Sequence, residues 1–308
     1  MINRLLSAAL ALVCAFSVAA QDKIEKGDIN LIVVSDLGRN GYYDQKGVAS
    51  TMGLVAEKIG PDAVLALGDT HHYEGVQSVS DPLWMTNYEL IYSHPELMVH
   101  WYPVCGNHEY RGSTLAVLDY SAISRRWDMP ARYYTKVFGD EDEATVRIVF
   151  IDTAPLIDKY RKNNATYPDA CRQDMEAQLE WLDKTLADVT EDWVVVVGHH
   201  PIYAFTDKPD SERSDLQKRV DPILRKHKAD MYICGHIHNY QHIRKSDSGT
   251  DYVVNTSGSK TRAAGKTDGT VFCSDAAGFS VLTADKKALR LNFLDKDGRV
   301  IYTVSRNK

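Results

Sequence analysis

Five short apolar runs in this 308-residue chain each lead into residues with metal-ligating or proton-carrying side chains. Ala63-Val64-Leu65-Ala66-Leu67 runs into Gly68-Asp69-Thr70-His71-His72-Tyr73, and Asn30 to Ser35 (NLIVVS) runs into Asp36-Leu37-Gly38. Met98 to Cys105 ends in Gly106-Asn107-His108-Glu109, Trp193 to Val197 in Gly198-His199-His200-Pro201, and Ala229 to Cys234 in Gly235-His236-Ile237-His238. Carboxylate and amide oxygens with imidazole nitrogens are ligands for divalent and trivalent metal ions, and three of them suffice for one catalytic ion. The candidates Asp36, Asp69, His72, Asn107, His108, His199, His236 and His238 are enough for two ions, with one carboxylate bridging them. Two ions held side by side can act on one phosphate, so the pattern reads as a two-metal hydrolytic site.

Each of these residues alone has a duller explanation. Asp36 and Asn107 suit turn caps, and His236 with His238 alternate as an exposed polar edge would. Independent caps, however, would not be expected to fall at five strand ends with complementary ligand types. His71 and His200 have no role in the set and read as outer or solvent-facing residues. His94, His100, His227 and His242 read as surface or packing histidines. Trp84, Trp101, Trp127, Trp181 and Trp193 fall in apolar runs and suit the core. Tyr42-Tyr43, close to Asp36, could line a pocket or lie over the core as a lid.

The elements must bring these distant loops together. Asn30–Ser35 and Ala63–Leu67 read as buried strands around a helix at Asp44–Ile59, stopped by Gly60-Pro61. A helix at Pro82–Ser93, a strand at Met98–Cys105 and a helix at Ser113–Trp127 follow. Tyr133–Phe138 and Val146–Ile151 suggest a hairpin, and Met175, Leu179, Leu182 and Leu186 recur at helical spacing within Arg172–Leu186. The strand Trp193–Val197, a helix at Glu212–His227 and the strand Ala229–Cys234 complete the alternation. The remainder reads as a β meander at Tyr252–Thr256, Phe279–Thr283, Leu289–Leu294 and Val300–Val304, with a turn signal at Asp297-Gly298. In open α/β sheets ligands gather where strands end in loops, so one α/β domain can close the five motifs on each other.

Residues 1–20 differ from the rest: Arg4 precedes the apolar run Leu5 to Val18, and Val18-Ala19-Ala20 offers small residues for cleavage before Gln21. We read 1–20 as an export signal and 21–308 as a single domain, periplasmic or extracellular. Val13 before Cys14 fits a lipoprotein processing site poorly, so lipidation is not expected. No later stretch is long and apolar enough for a membrane span. The formal charge of −6 becomes one unit more negative without Arg4, which argues against nucleic acid as a partner. Of the remaining cysteines, Cys105 and Cys234 read as buried thiols, and Cys171 with Cys273 is the one pairing to test.

Asp-x-Gly, Gly-Asp-x-x-x-Tyr, Gly-Asn-His-Glu, Gly-His and Gly-His-x-His, in this order, resemble the calcineurin-like metallophosphoesterases, and among them the small tartrate-resistant purple acid phosphatases. The likeness extends from about Asn30 to Val304. It implies a four-layer α/β/β/α sandwich with two mixed sheets, and hydrolysis of a small phosphorylated substrate by a metal-bound hydroxide. It implies two metal ions, iron with zinc, manganese or a second iron. Asp36, Asp69 and His238 would bind the first ion and Asp69, Asn107, His199 and His236 the second, with Asp69 as the bridge. Catalytic roles would fall to His108 beside the leaving group, to Glu109 orienting His108 through a hydrogen bond, and to Asn107. The family's purple members carry a ferric-iron tyrosine where this chain has His72, with Tyr73 one residue late, so a colourless, less iron-selective centre is expected. Lys208 stands roughly where those enzymes carry a further histidine. A phosphodiesterase or nucleotidase on the same centre is the alternative, and a non-catalytic metal- or phosphate-binding protein the rival from another class. The oligomeric state stays open.

Overall fold

A computed structural model describes residues 24–140 and 142–308; the export signal read at 1–20 lies outside them. Strands β1 (Ile29–Val34) and β2 (Ala63–Ala66) are buried along their whole length and pair in parallel. Their β-branched, apolar sequences have no polar face because both sides of the sheet are covered. Between them α1 (Gln45–Ile59) buries Val48, Ala49, Met52, Val55, Ala56 and Ile59 along one stripe. Gly60 ends α1 in the left-handed conformation and its N–H bonds Ala56 O, a cap that a residue with a Cβ adopts poorly.

Strand β3 (His100–Pro103) adds in parallel to β2. The terminal strands β11 (Gly278–Ala284), β12 (Ala288–Asp295) and β13 (Val300–Asn307) extend the other edge, giving the order β13-β12-β11-β1-β2-β3. The second sheet holds β4 (Tyr134–Phe138), β5 (Val146–Phe150), β6 (Trp193–Val197), β7 (Met231–Cys234), β8 (Tyr240–Arg244), β9 (Asp251–Val254) and β10 (Thr270–Ser274) in the order β10-β8-β9-β7-β6-β5-β4. Both sheets mix parallel and antiparallel pairs, and the architecture is the four-layer α/β/β/α sandwich. The sheets are tied near the site, where Asn255 Nδ2 donates to Val33 O, Gly258 N donates to Ser35 O, and Ser35 bridges Ser257.

Several expected elements differ. The meander is not one unit: β9 joins the second sheet and only β11 to β13 continue the first. Strands β8 and β10 were not expected, because their polar residues Gln241, His242 and Ser274 mask the strand period. The Ser113–Trp127 helix is α2 (Thr114–Asp119) followed by a short 3-10 turn, and Trp127 instead bridges Trp101 beside β3. Pro82–Ser93 forms a π-helical turn at Met85–Glu89. Beyond the short α3 (Asp158–Arg161) and α4 (Met175–Ala187), the Glu212–His227 helix is two, α5 (Ser211–Arg219) and α6 (Asp221–His227). Pro222 lies in the first turn of α6, where its missing N–H costs nothing. Cys105, Cys171, Cys234 and Cys273 are all free thiols, so the Cys171–Cys273 pairing is not formed.

Candidate metal centre

The loops that follow β1, β2, β3, β6 and β7 meet at one place. Asp36, Asp69, His236 and His238 all hold positive φ, between 52° and 70°. Such conformations are costly for residues with a Cβ and persist where the surroundings impose them. Asp36 is pinned through its carbonyl oxygen by Ser257 Oγ at 3.0 Å and Ser259 Oγ at 2.8 Å, and its Oδ2 accepts from His236 N at 2.9 Å. Asp69 Oδ1 accepts from His108 N at 2.9 Å. Its second oxygen, Oδ2, faces His199 Nε2 at 3.2 Å, His72 Nε2 at 3.5 Å and His108 Nε2 at 3.8 Å.

Which nitrogens carry protons follows from their other contacts. His72 Nδ1 lies 3.1 Å from Gly38 O, His199 Nδ1 2.7 Å from Leu67 O, and His238 Nδ1 2.5 Å from Lys260 O. A carbonyl oxygen only accepts, so each Nδ1 donates and each neutral ring presents an Nε2 lone pair to the centre. His238 Nε2 meets Asp36 Oδ1 at 3.1 Å in the same way. Asp36 Oδ1, His72 Nε2, Asn107 Oδ1 and His199 Nε2 are buried without a hydrogen-bond partner among the described residues. Lone pairs facing lone pairs across about 3 Å repel unless positive charge lies between them. The donor set therefore fits metal ions. Burial lowers the basicity of His199, yet Asp69 and Asp36 push it up to about 9, another sign that the spot calls for a cation.

Asp36, Asp69, His72 and His238 place ligand atoms within 4.8 Å of one another and could hold one ion. His72 belongs to this group. Tyr73 points outward, half exposed, toward Arg39 and His108. On the other side His199, His200 and His236 approach within the same limit. Both nitrogens of His200 are already committed, Nδ1 to Thr153 Oγ1 at 2.7 Å and Nε2 to Tyr160 OH at 2.9 Å. His200 and His71 are both fully buried, so neither faces solvent; His71 packs its ring edge-on against Trp84.

His236 has neighbours that sequence reasoning missed. Its Nε2 lies 2.9 Å from Glu212 Oε2 and 2.8 Å from Lys208 Nζ. Glu212 is buried, and its other oxygen accepts from Lys159 Nζ at 2.6 Å and Tyr160 OH at 2.9 Å. Burial raises the Glu212 carboxyl, but His200, Lys159 and Lys208 outweigh it and hold the group ionised. An ionised Glu212 only accepts, so His236 Nε2–H donates to it and the His236 lone pair is on Nδ1, which faces Lys208 Nζ at 3.4 Å. Burial, with Arg262 nearby, draws Lys208 down to about 8. No periodicity marks Glu212, which sits on a helix of otherwise polar composition.

The expectation that Glu109 orients His108 is overturned. Glu109 turns inward and accepts backbone N–H groups: Gly106 N at 2.7 Å and Asp69 N at 2.8 Å on Oε2, and His71 N at 3.1 Å on Oε1. The side chain is needed there because the two motif loops would otherwise leave buried donors unmatched. Burial and the Asp69 carboxylate push its pKa up to about 7. His108 is instead held by Nδ1 donating to Tyr73 O at 2.5 Å, and its ring lies 4.3 Å from that of His72.

This fold and this convergence of loops define a metallophosphatase. Residues 29–240 match the family model described as calcineurin-like phosphoesterase, and the chain belongs to that hydrolytic family. It is 32% identical to purple acid phosphatase 3 of Arabidopsis thaliana over 289 residues, 90% of this chain and 77% of the relative. It is 33% identical to tartrate-resistant acid phosphatase type 5 of Oryctolagus cuniculus over 214 residues, 68% of this chain and 65% of that protein. In fold it is similar to GAP50, the anchor in the inner membrane complex of Plasmodium, with a TM-score of 0.76 at 23% identity, covering 91% of this chain and 88% of that one. Purple acid phosphatase relatives imply a binuclear metal centre. No helix among the described residues is long and apolar enough to cross a membrane.

Proposed function

We propose that the chain is an exported phosphatase that hydrolyses phosphate monoesters at a two-metal centre. The observation that carries this reading is the set of unpartnered buried lone pairs of Asp36, His72, Asn107 and His199, with those of His72 and His199 facing Asp69 Oδ2. Asp36, Asp69, His72 and His238 would hold one ion, and Asp69, Asn107, His199 and His236 the other. Bound there, the ions would supply Lewis acidity toward the phosphoryl oxygens and lower the pKa of a water. The chain's own groups do the rest: Asp69 offsets the charge of the pair, Asn107 helps fix substrate, and Lys208 offers a positive charge beside His236. His108, on the margin of the centre with burial lowering its pKa, assists the departing alkoxide. Iron, zinc and manganese are the candidate ions, and a neutral imidazole at position 72 removes the phenolate that would favour ferric iron.

The test is turnover of p-nitrophenyl phosphate and its bis-ester by metal-loaded protein. A monoesterase prefers the former, and a preference for the bis-ester would move the assignment to a phosphodiesterase. Asp69→Asn is expected to lose tightly bound metal and activity together. His108→Ala should keep both ions and lose turnover by about 10²-fold or more. A second reading, metal or phosphate binding without turnover, draws on one observation, the Lys208 ammonium held by His236 O at 3.2 Å and lying 3.4 Å from the His236 Nδ1 lone pair. It predicts a metal-loaded wild type that turns over neither ester.

A further inference from the structure

One buried cation has no part in the reading above. Arg39 is 6% exposed, and its Nε and Nη1 find no acceptor among the described residues. A guanidinium withdrawn from water without an anion is costly unless a ligand supplies the charge. The group lies 4.6 Å over the Tyr73 ring and lines a cleft of about 440 Å³ together with Asn40, Tyr42, Tyr43, His72 and Tyr73.

The cleft is built, not left over. Gln45 Oε1 accepts from Arg39 N at 3.0 Å and Gly41 N at 2.7 Å, and Asn87 Oδ1 accepts from Asn40 N at 2.6 Å. Within the same loop Asn40 and Tyr43 have φ of 53° and 56°. The result is a rigid loop that presents Tyr42 and Tyr43 to solvent, 72% and 59% exposed. Lys260 Nζ adds a second cation 5.1 Å from the Tyr43 ring. The cleft also opens on the correct side of the centre. His72 lines it, the His72 ring lies 4.3 Å from that of His108, and the Tyr73 ring lies 5.8 Å from that of His108.

We propose that this cleft receives the leaving group of the substrate, and that Arg39 selects leaving groups carrying an oxyanion, carboxylate or phosphate, on a planar ring. The inference rests on the phosphatase reading, in which His108 marks the side where the alkoxide departs. The planar fork of arginine matches either oxyanion, and the tyrosine faces accept a ring. If Arg39 only balanced the carboxylates of Asp36 and Asp69, its loss would scale all substrates alike; a selecting Arg39 changes their ratio.

The experiment uses the full metal-loaded chain with phenyl phosphate, meta-carboxyphenyl phosphate and meta-phenylene bisphosphate. Wild-type kcat/KM is expected to favour the anionic leaving groups about tenfold over phenyl phosphate. Arg39→Gln should bring that ratio close to one, and Arg39→Lys should restore part of it. Preference for one anionic substrate alone assigns the oxyanion as carboxylate or phosphate. A wild-type ratio near one, or a preference that survives Arg39→Gln, overturns the subsite. If no ester is turned over, the phosphatase reading fails and calorimetry decides the subsite separately. Tighter binding of meta-carboxyphenylphosphonate than phenylphosphonate, lost in Arg39→Gln, supports it, and equal affinities overturn it.

Discussion

At the scale of single residues, His72, His199 and His238 spend their Nδ1 protons on carbonyl oxygens and turn Nε2 to the candidate centre, so the choice of side chain at position 72 would set the electronic character of one ion. His72→Tyr would replace a neutral nitrogen with a phenolate. Iron-loaded His72→Tyr is expected to gain a visible charge-transfer band that iron-loaded wild type lacks, read by absorption spectroscopy. A strong band in the wild type would show that Tyr73 reaches the metal. Glu212 acts one step further out, fixing the His236 proton on Nε2. Glu212→Gln should weaken the second ion about 10-fold to 100-fold, measured as metal retained after dialysis against a weak chelator, while the first ion stays. The candidate ligands were legible in the sequence because each follows an apolar run. Glu212 and Arg39 were not, since their partners lie on other loops and only the folded chain brings them together.

At the scale of elements, the site depends on how the loops after β2 and β3 are held, and Glu109 is the clamp. Three backbone N–H groups from two loops converge on its carboxylate. Removing it leaves three buried donors unmatched, at about 1 kcal/mol or more each. Glu109→Ala is therefore expected to lose about 3 kcal/mol of stability in urea unfolding, together with metal binding. Glu109→Gln, which keeps one acceptor oxygen, should lose less. If Glu109→Ala unfolds at the wild-type midpoint, the clamp is not what holds the loops. The sequence motif Gly-Asn-His-Glu marked Glu109 but not its direction, because an acid beside a histidine in sequence need not point at it. The strands that carry ligands were readable from apolar, β-branched runs. Those without a clear period, β8 and β10, and the break before Pro222 became visible only with their partners in place.

At the scale of the whole molecule, the two sheets are also locked together at the end remote from the candidate metal centre. Met231 pairs with Asp251 at the start of β7 and β9, whereas His236 and His238 follow Cys234 at the other end of β7. Asp251, on the second sheet, receives His242 Nε2 at 2.8 Å, Arg244 Nε at 2.5 Å and Arg306 Nη1 at 2.9 Å, and Arg306 belongs to β13 of the first sheet. Burial raises the Asp251 carboxyl, but these three partners overcome it and hold the group well below the usual carboxylate range. A depressed folded-state pKa means that the stabilisation is complete above the unfolded value, near pH 4, and is lost as pH falls through the folded value. Asp251→Asn is expected to cost about 1 to 3 kcal/mol at neutral pH, since the buried carboxylate that His242, Arg244 and Arg306 share is lost. The gap between mutant and wild type in urea midpoint should stay level down to about pH 4 and narrow below it. Metal content should not change, because nothing in this lock touches the ligand loops. A gap that widens in acid, or a loss of metal in Asp251→Asn, would mean that the ends of the sandwich are coupled and that the centre depends on the whole stack, not on its own loops.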